Sequence, residues 1–172
     1  MTRVRYLPPG YEITYPNRDK STSKMMRLLV IALLIACTAL LLTVTFGGWS
    51  KLAGMVALTL IVCFIYLLIA VYVWRWARGT LPIAAGLGGL MLIPAIAAVT
   101  GIDGSTWAQR SGSAYQAADS VFGGAGLHAG TLELLTVLLI PALLLLIAVS
   151  IFAFLQRWNI EYEQRIAGHD AS

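Results

Sequence analysis

Residues 52–74 read LAGMVALTLIVCFIYLLIAVYVW, 23 positions without one charged side chain. As a helix rising about 1.5 Å per residue, this stretch covers the roughly 30 Å of a bilayer's hydrocarbon core. Helix is the state expected, because backbone amides in lipid must be satisfied within the segment and the run lacks the in/out alternation of a transmembrane barrel. Three further runs have the same character, at 28–46, 81–100 and 132–155, and none carries an Asp, Glu, Lys, Arg or His in its interior. The fold expected is therefore an all-α integral membrane protein with four transmembrane helices in an up-down bundle.

Composition agrees. Only 12% of the 172 residues are charged, about half the roughly 25% of a soluble domain. The net charge of +4 does not suggest a nucleic-acid module, since the basic residues cluster beside the apolar runs. Two cysteines, both inside such runs, exclude a disulfide-stapled scaffold.

Lysine and arginine set the expected orientation. Arg3, Arg5, Arg18, Lys20, Lys24 and Arg27 precede the first run, Arg75 and Arg78 lie between the second and third, and Arg157 and Arg165 follow the fourth; only Lys51 and Arg110 fall on the other side. The positive-inside rule then predicts cytoplasmic N- and C-termini. Trp49, Trp74, Trp76 and Trp158 stand at run ends, where an amphipathic indole prefers the headgroup zone. Leu34, Ile35, Ala36 and Cys37 match a lipoprotein cleavage pattern, but the chain stays apolar beyond them through Phe46, so Cys37 reads as an ordinary buried cysteine.

The chain divides into a cytoplasmic arm (1–27), a transmembrane domain (28–155) and a cytoplasmic tail (156–172). Pro8-Pro9-Gly10 makes the arm extended. Its Tyr6, Tyr11 and Tyr15 are candidates for docking on a partner, as are Trp107 and Tyr115 of the long outer loop, 101–131. Short connections predict that the first three spans pack as consecutive neighbours. The outer loop is long enough to hold structure of its own, and apolar residues at helical spacing predict a short helix over 113–122.

Within the third run, Ala84 with Gly88 and Ala85 with Gly89 have the small-xxx-small spacing that lets membrane helices approach closely. Pro94 and Pro141 interrupt the third and fourth runs. Glu133 follows Thr131 at the start of the last run, where a carboxylate meets the positive helix end and threonine serves as its cap. His128 and Glu133 are the only outer-face ligand candidates. Cys37 and Cys63 sit at similar depth on adjacent helices and read as packing groups.

No Ser-His-Asp set, phosphate loop or metal-ligand cluster is present, and neither paired in-span histidines for haem nor an in-span carboxylate for exchange appears. No catalytic, cofactor or metal residue is assigned. Residues 74–85, WRWARGTLPIAA, and 156–163, QRWNIEYE, resemble small uncharacterised four-span membrane proteins of actinobacteria. That resemblance implies only a bacterial plasma membrane and carries over no activity. The expectation is a non-catalytic accessory or scaffold subunit of a larger inner-membrane complex, respiratory or transport, whose partners are membrane lipids and other integral subunits. The alternative is a small homo-oligomeric transporter or lipid-handling protein with a site near the outer loop.

Overall fold

A computed structural model describes residues 11–52, 54–102, 106–112 and 116–165. The chain is mostly helical, with four helices long and apolar enough to cross a membrane. A short strand β1 (Tyr11–Thr14) and one helical turn α1 (Pro16–Asp19) lead into α2 (Ser21–Gly47). Then come α3 (Met55–Trp74), α4 (Leu81–Thr100), a short α5 (Trp107–Ser111), strands β2 (Ala117–Asp119) and β3 (Ala125–His128), α6 (Ala129–Leu155) and strand β4 (Tyr162–Arg165).

The long helices match the four apolar runs, and their ends differ for local reasons. α2 starts seven residues before Leu28 because nothing in Ser21–Arg27 breaks a helix, and polar side chains are harmless on a turn outside the apolar run. α3 starts three residues after Leu52, since Gly54 takes a left-handed φ of 88° that no helix continues. α6 begins at Ala129 with His128 as N-cap. Thr131 therefore lies inside the first turn and does not cap it, and Glu133 lies in the second turn.

Each long helix is apolar around its circumference yet buries one stripe. On α2 the buried positions Val30, Leu34, Cys37, Leu41 and Val44 alternate steps of four and three; on α4, Leu81, Ala84, Gly88, Met91, Ala95 and Ala98 do the same. This is the seam of helices crossing at a shallow angle. Thr38, Thr45, Thr59 and Thr136 lie buried on these seams, and each donates its hydroxyl to the carbonyl four residues earlier. Such back-bonding makes a hydroxyl tolerable in an apolar core. Large apolar side chains such as Ile93, Phe64 and Leu155 stand 70%, 62% and 63% exposed on the outside.

α2 packs on both α3 and α6, and α4 packs on α6. α2 and α3 pack as expected for the first two spans, but contact between α3 and α4 is sparse, which corrects the expectation that the second and third spans are close neighbours. Arg78, in the connection, explains the departure: its Nε donates to the Phe154 carbonyl at 2.6 Å and its guanidinium lies 4.0 Å from the Phe154 ring. That anchor carries the start of α4 across to the end of α6.

Beyond the helix ends, β1 pairs antiparallel with β4 in the register Tyr11 with Arg165 through Thr14 with Tyr162. The arm thus seats on the chain's own tail. Asn17 Nδ2 donates to the Arg157 carbonyl (3.1 Å), and Arg18 donates to the Trp158 carbonyl and to Asn159 Oδ1 (both 3.3 Å). Arg18 also lies 3.9 Å over the Tyr15 ring.

Candidate functional site

At the far end of the helices, a cap forms over the bundle. Gly101, left-handed at φ 65°, ends α4. Thr106 then starts α5 with a capping box: its Oγ1 accepts from the Gln109 amide (3.2 Å), and its own amide donates to Gln109 Oε1 (3.1 Å). This turn aims Trp107 inward, where it is 2% exposed and donates Nε1–H to Thr136 Oγ1 at 2.9 Å. Thr136 passes its own hydrogen to the Leu132 carbonyl at 2.7 Å. Arg110 closes the side, with Nη1 3.4 Å from the Lys51 carbonyl and its guanidinium 5.7 Å from the Trp107 ring.

The segment expected as a helix over 113–122 is instead partly a ribbon. β2 pairs antiparallel with β3 across an irregular register, and Gly123 and Gly124, at φ 82° and 81°, turn the chain between them. Apolar spacing over so short a segment is ambiguous between periods, and the left-handed glycines decide it by folding the strand back. Residues 113–115 lie outside the described set. The ribbon rests on the end of α2 and the turn after it: the Val121 amide donates to the Phe46 carbonyl (3.2 Å) and the Asp119 amide to Ser50 Oγ (2.9 Å). Gly126 and Gly47 make this possible, since a Cβ on Gly126 would collide with the Gly47 carbonyl.

Beneath Trp107 lies a cavity of about 80 Å³, lined among others by Leu41, Thr45, Thr59, Met91, Pro94 and Thr136. It occupies the space where α4 leans on α6 and leaves α3. The threonine hydroxyls have committed their hydrogens to backbone carbonyls, so they offer lone pairs only, and Arg110 is the single cationic donor on the wall among the described residues. Such a lining suits a small, neutral, largely apolar molecule. Among the described residues its lining holds no carboxylate or imidazole for proton transfer.

α4 divides its small residues between two faces. Ala84 and Gly88 face α6, where a Cβ on Gly88 would sit 3.0 Å from Ile147 Cγ1. Ala85 and Gly89 are rotated away from that seam. About 180° around the helix, at 100° per residue, Pro82, Gly86, Gly89 and Ile93 form an outward face, and nothing lies within 4 Å of a Cβ placed on Gly86 or Gly89.

Of the docking candidates, Trp107 is buried in its own chain, which corrects its reading as an exposed contact. Tyr15 donates to Glu161 Oε1 at 3.2 Å and so serves the arm–tail junction. Tyr11 lies in β1. Tyr6 and Tyr115 lie outside the described residues. His128 is exposed at the N-cap of α6 and Glu133 is partly exposed; neither belongs to the cavity lining. Cys37 and Cys63 are free thiols buried in the same core as Tyr66. Among the described residues no three His, Cys, Asp or Glu side chains gather as a metal site.

The cavity-lining residues had only a faint sequence signal, namely threonines inside otherwise apolar runs. Arg18, Asn17 and Arg78 had none beyond their charge or polarity, because their partners are 76 to 141 residues away. Comparison of the chain with protein-family models, curated proteins and solved structures finds no match.

Proposed function

We propose that this chain is a non-catalytic accessory subunit of a larger bacterial inner-membrane assembly, respiratory or transport, and that α4 is the helix through which it meets a neighbour. Under this reading both termini are cytoplasmic and the four long helices run up and down through the plasma membrane. Ten of the twelve lysines and arginines then face the cytoplasm.

One observation carries the reading: the outward face of α4 has open space over Gly86 and Gly89 while its opposite face is filled by α6. In lipid, where tails are as apolar as leucine, close van der Waals approach at small residues drives helix association. An uncovered glycine pair on a helix held from one side suits a second helix. Mild detergent extraction followed by native mass analysis tests it. The wild-type chain is expected to travel with other membrane subunits, and Gly86→Leu with Gly89→Leu to release them. A wild-type chain found only as monomer or homo-oligomer overturns the proposal.

The cavity under Trp107 favours a second reading, a small homo-oligomeric transporter or lipid-handling protein. His128 and Glu133 lie off its walls, so Thr136, Met91 and Arg110 are the residues this reading needs. Filling the cavity with Thr136→Leu should then abolish ligand uptake by reconstituted vesicles; uptake that survives removes this second reading.

A further inference from the structure

A second concavity lies on the outside of the bundle, between α2 and α3, lined by Ile31, Ile35, Leu67, Ala70, Val71 and Trp74. Its volume is about 330 Å³. The lining is two facing stripes at helical spacing: positions 31 and 35 on α2, and 67, 70, 71 and 74 on α3. From Leu67 to Trp74 the groove runs about 10 Å along the helix axis. Every lining side chain but one is purely hydrocarbon, and the exception, Trp74, stands 59% exposed at one end.

Arg27 continues the α2 stripe one turn beyond Ile31 and places a guanidinium at that same end. It is held by two indoles, 4.2 Å from the Trp76 ring centroid and 5.2 Å from that of Trp74. Nη1 reaches the Trp74 carbonyl only at 3.5 Å, and the buried Nε–H has no partner among the described residues. No carboxylate pairs with Arg27 among the described residues; Asp19 engages Lys24 at 3.9 Å. Arg75, next in the chain after Trp74, is exposed. A pre-oriented cation whose Nη2 donates to no group among the described residues therefore stands at the end of an apolar groove. A planar guanidinium suits a phosphate oxygen pair.

We propose that this groove is a binding site for one anionic phospholipid of the leaflet at the termini-bearing end: an acyl chain lies along Ile31, Ile35 and Leu67, and the phosphate sits on Arg27. Charge complementarity selects the anionic class, since Arg27 stands against Trp74 at the groove's end and the exposed Arg75 follows Trp74 directly in the chain. Stacking on Trp74 and Trp76 fixes the guanidinium before the lipid arrives, which lowers the cost of ordering it. The site stands whether or not α4 has a partner, because it lies on the α2–α3 side.

Native mass spectrometry of the full chain in mild detergent, titrated with phosphatidylglycerol or phosphatidylcholine, tests the site. One phosphatidylglycerol is expected to be retained about tenfold more strongly than phosphatidylcholine. Arg27→Gln should remove that preference, and Lys51→Gln at the far end should keep it. Val71→Trp, which fills the groove from its exposed side without touching the core, should lower retention of both lipids and serves if Arg27→Gln fails to fold. Equal retention of the two lipids, an unchanged preference in Arg27→Gln, or unchanged retention in Val71→Trp overturns the proposal, as does displacement of the lipid by millimolar inorganic phosphate alone.

Discussion

Trp76 and Trp158 meet edge to face, their ring centroids 5.4 Å apart and their planes at 87°. The contact depends on two left-handed turns at residues that rarely adopt them: Trp76 has φ 64° just past α3, and Arg157 has φ 50° just past α6. Each such conformation costs about 1–2 kcal/mol for a residue with a Cβ. What offsets it is the burial of an aromatic pair, with Trp158 fully enclosed and its Nε1–H donated to Gln156 Oε1 at 3.0 Å. Trp158→Ala should therefore destabilise the protein by about 3–5 kcal/mol, read as a lowered unfolding midpoint in detergent. The same variant should loosen the arm, since the buried Trp158 ring fixes the tail backbone whose carbonyl Arg18 bonds, and faster amide exchange at Tyr11–Thr14 would report it.

At the opposite end, Thr136→Val removes the acceptor of Trp107 Nε1–H and leaves a buried donor without a partner. The expected loss is about 1–3 kcal/mol. Trp107→Phe combined with Thr136→Val should cost less than the two single changes added, because both members of one hydrogen bond are then gone. A double-mutant cycle by thermal melting measures the difference, and strict additivity would refute the coupling.

Leucine at two glycines of α4 should give opposite outcomes. At Gly88 it meets Ile147 and forces α4 from α6, an overpacking worth about 1–3 kcal/mol. At Gly86 it enters open space, so the chain's own stability should change by no more than about 0.5 kcal/mol. Melting curves of the two purified variants decide the point; equal destabilisation would mean that the two faces are not distinct.

Gly126→Ala should lift the β2–β3 ribbon from α2, because the added methyl meets the carbonyls of Gly47 and Ala118 and backbone cannot swing aside as a side chain can. Amide exchange at Asp119 and Val121, whose N–H groups are bonded to Ser50 and Phe46, should accelerate markedly, with little change in the long helices.

Tyr66→Phe should be neutral or stabilising by about 1 kcal/mol, since the Tyr66 hydroxyl is wholly buried without a hydrogen-bond partner among the described residues and removing it relieves an unmet desolvation cost. A clear loss of stability on thermal melting would show that the hydroxyl is satisfied in the folded protein.

The arm and the tail show why part of the molecule was not legible in its chain. Tyr11–Thr14 and Tyr162–Arg165 are four-residue strands about 150 positions apart, and neither carries a hairpin signal, because the turn between them is the entire bundle. The segment after Trp107 failed differently. Apolar residues at helical spacing were present, but Gly123 and Gly124 fold the segment back onto β3. Trp107 was visible as a loop aromatic, yet only Thr136, 29 residues on, draws it inward.

The four apolar runs, by contrast, followed from hydropathy and length, because the cost of an unsatisfied backbone amide in lipid makes any such run a helix whatever surrounds it. Hydropathy could say nothing about which side of each helix turns inward, for these runs are apolar all round. That choice was tertiary. It was made by shape, with Gly88 admitting Ile147, by the Arg78 anchor that sends α4 to α6, and by Trp107 closing the gap left beside α3.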